Sequence, residues 1–141
     1  MSDLVTNSLS GLRASVASFS AAASNIANLN DVGPVPATPP SEPVPQNPGG
    51  TQVYQPIVAV PSSTGASPGV ASTYAPQLPS YSVAYDPAAS AANDKGEVAL
   101  PNVNLAEELV KIAMAVQAFR ANIAVMKAAN QMSRSALNIL T

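Results

Sequence analysis

Proline decides the layout of this chain. Thirteen of its 14 prolines lie in residues 32–93, and the last is Pro101. Proline has no amide proton and its ring clashes with the preceding helical turn, so no long helix crosses that block. Residues 1–33 and 102–141 contain none. The chain is left with two ends that permit helices and a middle that does not. That middle holds only two charges between residues 32 and 93, Glu42 and Asp86.

The C-terminal end has a strong helical period. Leu105, Leu109, Ile112, Val116, Phe119, Ile123 and Met126 alternate steps of four and three. The same count continues through Asn130, Ser133, Leu137 and Leu140. This is a heptad seam with polar positions near its end. Helical throughout, the segment would span about 55 Å. Asn104 is placed to cap it, and Glu107 and Glu108 favour the positive end of the helix dipole.

The N-terminal end repeats the pattern with less volume. Val5, Leu9, Leu12, Val16, Phe19, Ala23 and Ile26 take the same steps, and the next position is Asn30. Alanine and serine fill the other faces. A simple two-helix hairpin would want a charged outer face, so small residues all round favour a packing element with several neighbours. The expected fold is mainly α. Two long terminal helices pair as an antiparallel coiled coil, joined by an extended proline-rich middle with short β-strands. The expected division is 1–31, 32–101 and 102–141, the two terminal helices forming one helical domain.

Within the middle, "GPVPATPPSEPVPQNPGG" (33–50) reads as extended or mobile. "TQVYQPIVAV" (51–60) and "PSYSVAYDP" (79–87) are β-branched and aromatic, and are expected to form one two-stranded piece. "SSTGASPGVAST" (62–73) reads as a connector.

Composition narrows function. The apolar share is 47%, but aromatics are 4%. A lone globule would have few large side chains for its core, so the chain is expected to borrow burial from neighbours. A net charge of −2 gives no electrostatic reason for a nucleic-acid partner. With no Cys and no His, a thiolate metal site and a Cys–His or Ser–His pair are excluded. Adjacent Glu107 and Glu108 point about 100° apart on a helix and cannot share a substrate. "NDKGE" (93–97) lacks the alternating ligands of a calcium loop. No catalytic residue, cofactor or metal is expected. No apolar run is long and uncharged enough to predict a membrane span. Asp3 and the serines argue against a cleaved leader.

Two motifs carry a resemblance. "ASNIAN" (23–28) is similar to the N-terminal signature of the bacterial flagellar axial proteins, the rod and hook group. The stretch "YDPAASAANDKGEVALPNVN" and the helix after it narrow this to the proximal rod family. The matching residues are Tyr85, Asp86, Pro87, Gly96, Pro101, Asn102 and Val103, then Phe119, Ala121 and Asn122. The proline-rich 33–50 departs from the family, which usually has a short glycine turn and a basic strand-like stretch there.

The resemblance implies a structural subunit of the basal-body rod, the driveshaft for motility, polymerised helically and in the periplasmic space. It implies export through the flagellar type III apparatus without cleavage. Implied partners are copies of itself, other rod proteins, the MS-ring, the rod adaptor and the export gate. Asn25, Asn28, Asn102 and Asn122 fall in the motifs and join the seam residues as expected interface positions. The amides of Asn25, Asn28 and Asn30 could satisfy backbone at the helix end or bridge chains without burying charge. Arg120, Lys127 and Arg134 recur every seven residues beside the seam, and any acid for them is expected from another subunit. The alternatives are a hook or distal rod protein, a secreted binding module with a proline-rich arm, and a wall-cleaving enzyme.

Overall fold

The computed structural model describes residues 2–45, 50–63, 65 and 69–139. Helix α1 spans Ser2–Ala27 and helix α2 spans Leu105–Ile139. Between them lie strands β1 (Ile57–Ser63), β2 (Val70–Pro76), β3 (Tyr81–Tyr85) and β4 (Glu97–Pro101). They form two small antiparallel sheets, β1 with β2 and β3 with β4. In the second, Tyr81 stands opposite Pro101 and Tyr85 opposite Glu97.

The two long helices are where the period places them. Asn104 caps α2, its Oδ1 accepting from the amides of Ala106 (3.0 Å) and Glu107 (3.3 Å). The rest of the expected fold is corrected. The middle is not an extended linker between the arms of a coiled coil, because it builds two sheets. Nor do the expected strands pair with each other. Each pairs with a strand close in sequence, which closes a shorter loop at lower entropic cost. Their partners are "VASTYAP" (70–76), which begins inside the stretch read as a connector, and "EVALP" (97–101), where no strand was expected.

The chain divides into two compact units. Unit 1 comprises residues 1–20, 59–73 and 110–141, and unit 2 comprises 21–58 and 74–109. The core of unit 2 is Val44, Val53, Tyr81 and Ala99, with Val35 packed against it. Gly33 joins this core to the sheet by exchanging two backbone hydrogen bonds with Ala99, at 3.0 and 2.9 Å. The described part of the proline tract is therefore anchored rather than mobile. Prolines offer carbonyls but no amide donors, and unit 2 supplies the donors. Ser80, fully buried, donates its amide to Pro40 O and its hydroxyl to Pro40 O and Glu42 O. Tyr81 Oη donates to Thr38 O at 2.6 Å. The Gln55 side-chain carbonyl accepts from the Val44 amide at 2.7 Å. Residues 46–49 of the tract lie outside the described residues.

Candidate assembly surface

Along both helices the heptad period survives, but the buried stripe is offset from the large side chains. On α1 the buried positions include Ser8, Ser15 and Ala22, at steps of seven. On α2 they are Glu108, Ala115 and Ala129, again at multiples of seven. Each precedes an expected seam residue by one. The expected seam residues lie largely outward. Leu9, Val16, Phe19, Leu105, Leu109, Val116 and Phe119 are all exposed, Leu109 by 53%. The coiled coil of large side chains is overturned by this exposure. Apart from Glu108, the inner positions carry small side chains, which let a helix backbone come close to whatever packs there, where a Leu or Phe would hold it away.

The buried hydroxyls satisfy themselves. Ser8 and Ser15 donate to the carbonyls of Leu4 and Gly11 four residues earlier, both at 2.8 Å. This back-bonding lets serine sit in a close contact without an orphaned polar group. In unit 1, Gly11 lies directly against Asn122. A Cβ added at Gly11 would fall 2.5 Å from Asn122 Oδ1. The Asn122 side chain is itself held, its Nδ2 donating to Ala118 O at 2.9 Å. Gly11→Leu is therefore expected to cost about 1–3 kcal/mol through overpacking. Chemical denaturation followed by far-ultraviolet circular dichroism measures it, and an unchanged midpoint would mean that the contact is not close.

Beside this contact the outward side chains of unit 1 form an apolar groove of about 280 Å³. Val16 and Phe19 come from α1, and Val116, Phe119 and Ile123 from α2, with Arg120 at the edge.

Unit 2 answers the question of the amides in "SNIAN". Asn25 is completely buried. Its Nδ2 donates to Ile57 O at 2.9 Å, and its Oδ1 accepts from the Ile57 amide at 2.9 Å. The side-chain amide thus pairs with one residue's backbone as a neighbouring strand would. Tyr54 Oη adds a third bond to Oδ1 at 3.1 Å and lies 2.9 Å from Ser24 Oγ. Asn28 donates to Ser24 O in the last turn of α1. Asn102 donates its side chain to Pro79 O and its amide to Ser80 O. The amides of Asn25, Asn28, Asn102 and Asn122 are thus engaged within their own chain, and Asn25 reaches the start of β1 rather than the helix end.

The remaining expected positions divide by exposure. Leu12, Ile26, Ile112, Ile123 and Met126 are half-buried, and Asn130 is exposed. Leu137 lies on α2, and Leu140 is outside the described residues. A count of large apolar residues passed over Ser8, Gly11 and Ser15. Their signal is small residues at steps of four and three from Leu4, a stripe parallel to the seam. Tyr54 and Ile57 gave no such signal.

Residues 95–139, covering β4 and all of α2, match the family described as flagellar basal body rod FlgEFG protein C-terminal. That match and the relative below support a flagellar basal-body rod protein, a structural component of the basal body. The chain is similar to the flagellar basal-body rod protein FlgC of Borreliella burgdorferi, at 48% identity over 60 residues. The alignment takes in 40% of the chain and 40% of that relative, well under two thirds of its length.

Proposed function

We propose that this chain is a proximal rod subunit which polymerises helically through the outward apolar faces of α1 and α2. In this reading the rod is the driveshaft of a motile flagellum and lies in the periplasmic space. Residues 1–31 and 102–141 form the axial part, and 32–101 the connecting part. Its neighbours are copies of itself, other rod proteins, the MS-ring, the rod adaptor and the export gate. The chain travels through the flagellar export apparatus without loss of a leader, and performs no catalysis. The expected seam positions and motif asparagines would then border or support contacts with neighbours.

The observation that supports this most is the family match falling on a helix whose large side chains are outward. A helix apolar on several faces needs a cover. By length and composition alone, Leu105–Ala136 would also suffice to cross a membrane. A rod lattice supplies the cover without a bilayer.

The test exploits that exposure. Leu109→Asp with Phe119→Asp changes two outward residues, so the purified variant should keep its helix content. In cells it should be exported yet absent from rods, and motility should be lost. Normal rods containing the variant would refute the reading. Recovery of the wild-type chain with membranes rather than basal bodies would favour the bilayer.

A further inference from the structure

Charge is divided sharply between the two units. Unit 1 contains five cations, Arg13, Lys111, Arg120, Lys127 and Arg134, and one acid, Asp3. Unit 2 contains the other seven acids and a single cation, Lys95. The formal charges are +4 and −6, which together give the −2 of the whole chain. A near-neutral total therefore conceals two units of opposite sign, with Glu108 the one unit 2 acid that is fully buried. Opposite patches steer association and fix orientation more than they add affinity.

Each unit also carries an apolar feature beside its charge. In unit 1 this is the groove of Val16, Phe19, Val116, Phe119 and Ile123, with Arg120 at its edge. Arg120 is exposed, and among the described residues no acid forms an ion pair with it. In unit 2 the feature is Tyr85, the most exposed of the large hydrophobic side chains described, at 75%. Tyr85 is flanked by Asp86 in sequence and by Glu97 across the β3–β4 register.

The turn behind Tyr85 is well tied. Asp86 donates its amide to Gly96 O at 2.9 Å. Asn93 Oδ1 accepts from the amides of Lys95 and Glu97, at 2.9 and 3.0 Å. The Tyr85 ring lies over Gly96, where a Cβ would come within 2.8 Å of it. An exposed aromatic on a pre-ordered turn loses little freedom on binding, and tyrosine and arginine are the residues that dominate binding energy at interfaces. Each flanking carboxylate makes one local bond. Asp86 Oδ1 accepts from the Ala88 amide, and Glu97 Oε2 accepts from Asn93 Nδ2. Asp86 is exposed and Glu97 half-buried, and the second oxygen of each carboxylate is a further acceptor suited to a guanidinium.

We infer that the unit 1 groove of one copy receives Tyr85 from unit 2 of a second copy, with Asp86 and Glu97 meeting Arg120. Knob and groove are different surfaces of the same chain, so a contact made in one direction only is heterologous and, repeated, generates a ring or an open helix. Lys127 and Arg134, one and two heptads beyond Arg120, extend the positive strip along which the acidic unit is guided. This inference rests on the rod-subunit reading and adds to it the polarity of the self-contact.

The absence of cysteine makes a direct test available. Full chains carrying Tyr85→Cys and Ile123→Cys are mixed at high concentration under a mild oxidant. Chains with Ser41→Cys, an exposed unit 2 residue, replace Tyr85→Cys as the control. The 85–123 disulfide should exceed both the control pair and either variant alone. Adding Arg120→Glu should lower its yield at least roughly fivefold, the effect of about 1 kcal/mol. Adding Glu97→Arg to the partner chain should restore it. A yield no higher than the control, or one indifferent to Arg120→Glu, overturns the inference. Purified basal bodies separate this failure from that of the rod reading. If they contain the chain while no 85–123 bond forms, the rod reading stands and the contact falls. If they lack it, the rod reading falls.

Discussion

Asn25→Ala is expected to lower the stability of unit 2 by about 2–4 kcal/mol, from roughly 1–3 kcal/mol for each buried polar group left without a partner. The substitution leaves both the N–H and the C=O of Ile57 without their shared amide, and removes an acceptor from Tyr54. All four tyrosines of the chain lie in unit 2. Tyrosine fluorescence during denaturation therefore reports on unit 2 alone. The transition should move to lower denaturant, and hydrogen exchange at the Ile57 amide should accelerate. Asn25→Asp keeps one acceptor but sets a buried carboxylate oxygen against the Ile57 carbonyl, so it should be at least as costly as alanine. An Ile57 amide as protected in the alanine variant as in the native chain would show that the pairing contributes nothing.

Gly33→Val is expected to be equally severe by another route. A Cβ at this position would stand 2.4 Å from the backbone nitrogen of Val53. Backbone cannot swing aside as a side-chain tip can, so the Gly33–Ala99 bridge must open or the core must shift. Overpacking of this kind costs about 3 kcal/mol. Val53 and Ala99 both belong to the core that encloses Tyr81, so the near-ultraviolet circular dichroism of tyrosine should collapse. A retained signal with an unchanged melting temperature would mean that the two segments separate easily.

The helices were legible in the sequence because their signals are local: a cap at Asn104, a period, and proline on either side of nothing helical. Which face is buried was not legible, although its period was. The reading assumed that the largest apolar residues go inside. In this chain Ser8, Ser15 and Ala115 are inside, and Leu9, Val16 and Val116, one position later, are exposed. Burial follows the closeness of the backbones, which hydropathy does not encode. Two of the strands, β1 and β3, fall on the runs expected to be strands, but their partners β2 and β4 were missed for a different reason. Pro56, Pro61 and Pro76 interrupt or border the strand-like runs, and propensity cannot say which short run finds which partner. The fixing of the proline tract depends on donors far away in sequence, Ser80 and Tyr81 among them. As for the site, the asparagines of the signature were visible, but their partners were not. Asn25 and Ile57 are 32 residues apart with no motif between them.

The outward placement of the large side chains has a thermal consequence. Apolar surface that is covered on folding contributes its heat-capacity change to folding, and surface covered on association contributes it there. Here Leu109, Val110, Met114, Val125 and Met132 are still exposed in the folded chain. If the chain assembles as proposed, a large share of the heat-capacity change belongs to the association that covers them. Because apolar attraction weakens as water is cooled, in the proposed lattice cold would act first on the joints between subunits, and only afterwards on the chain itself.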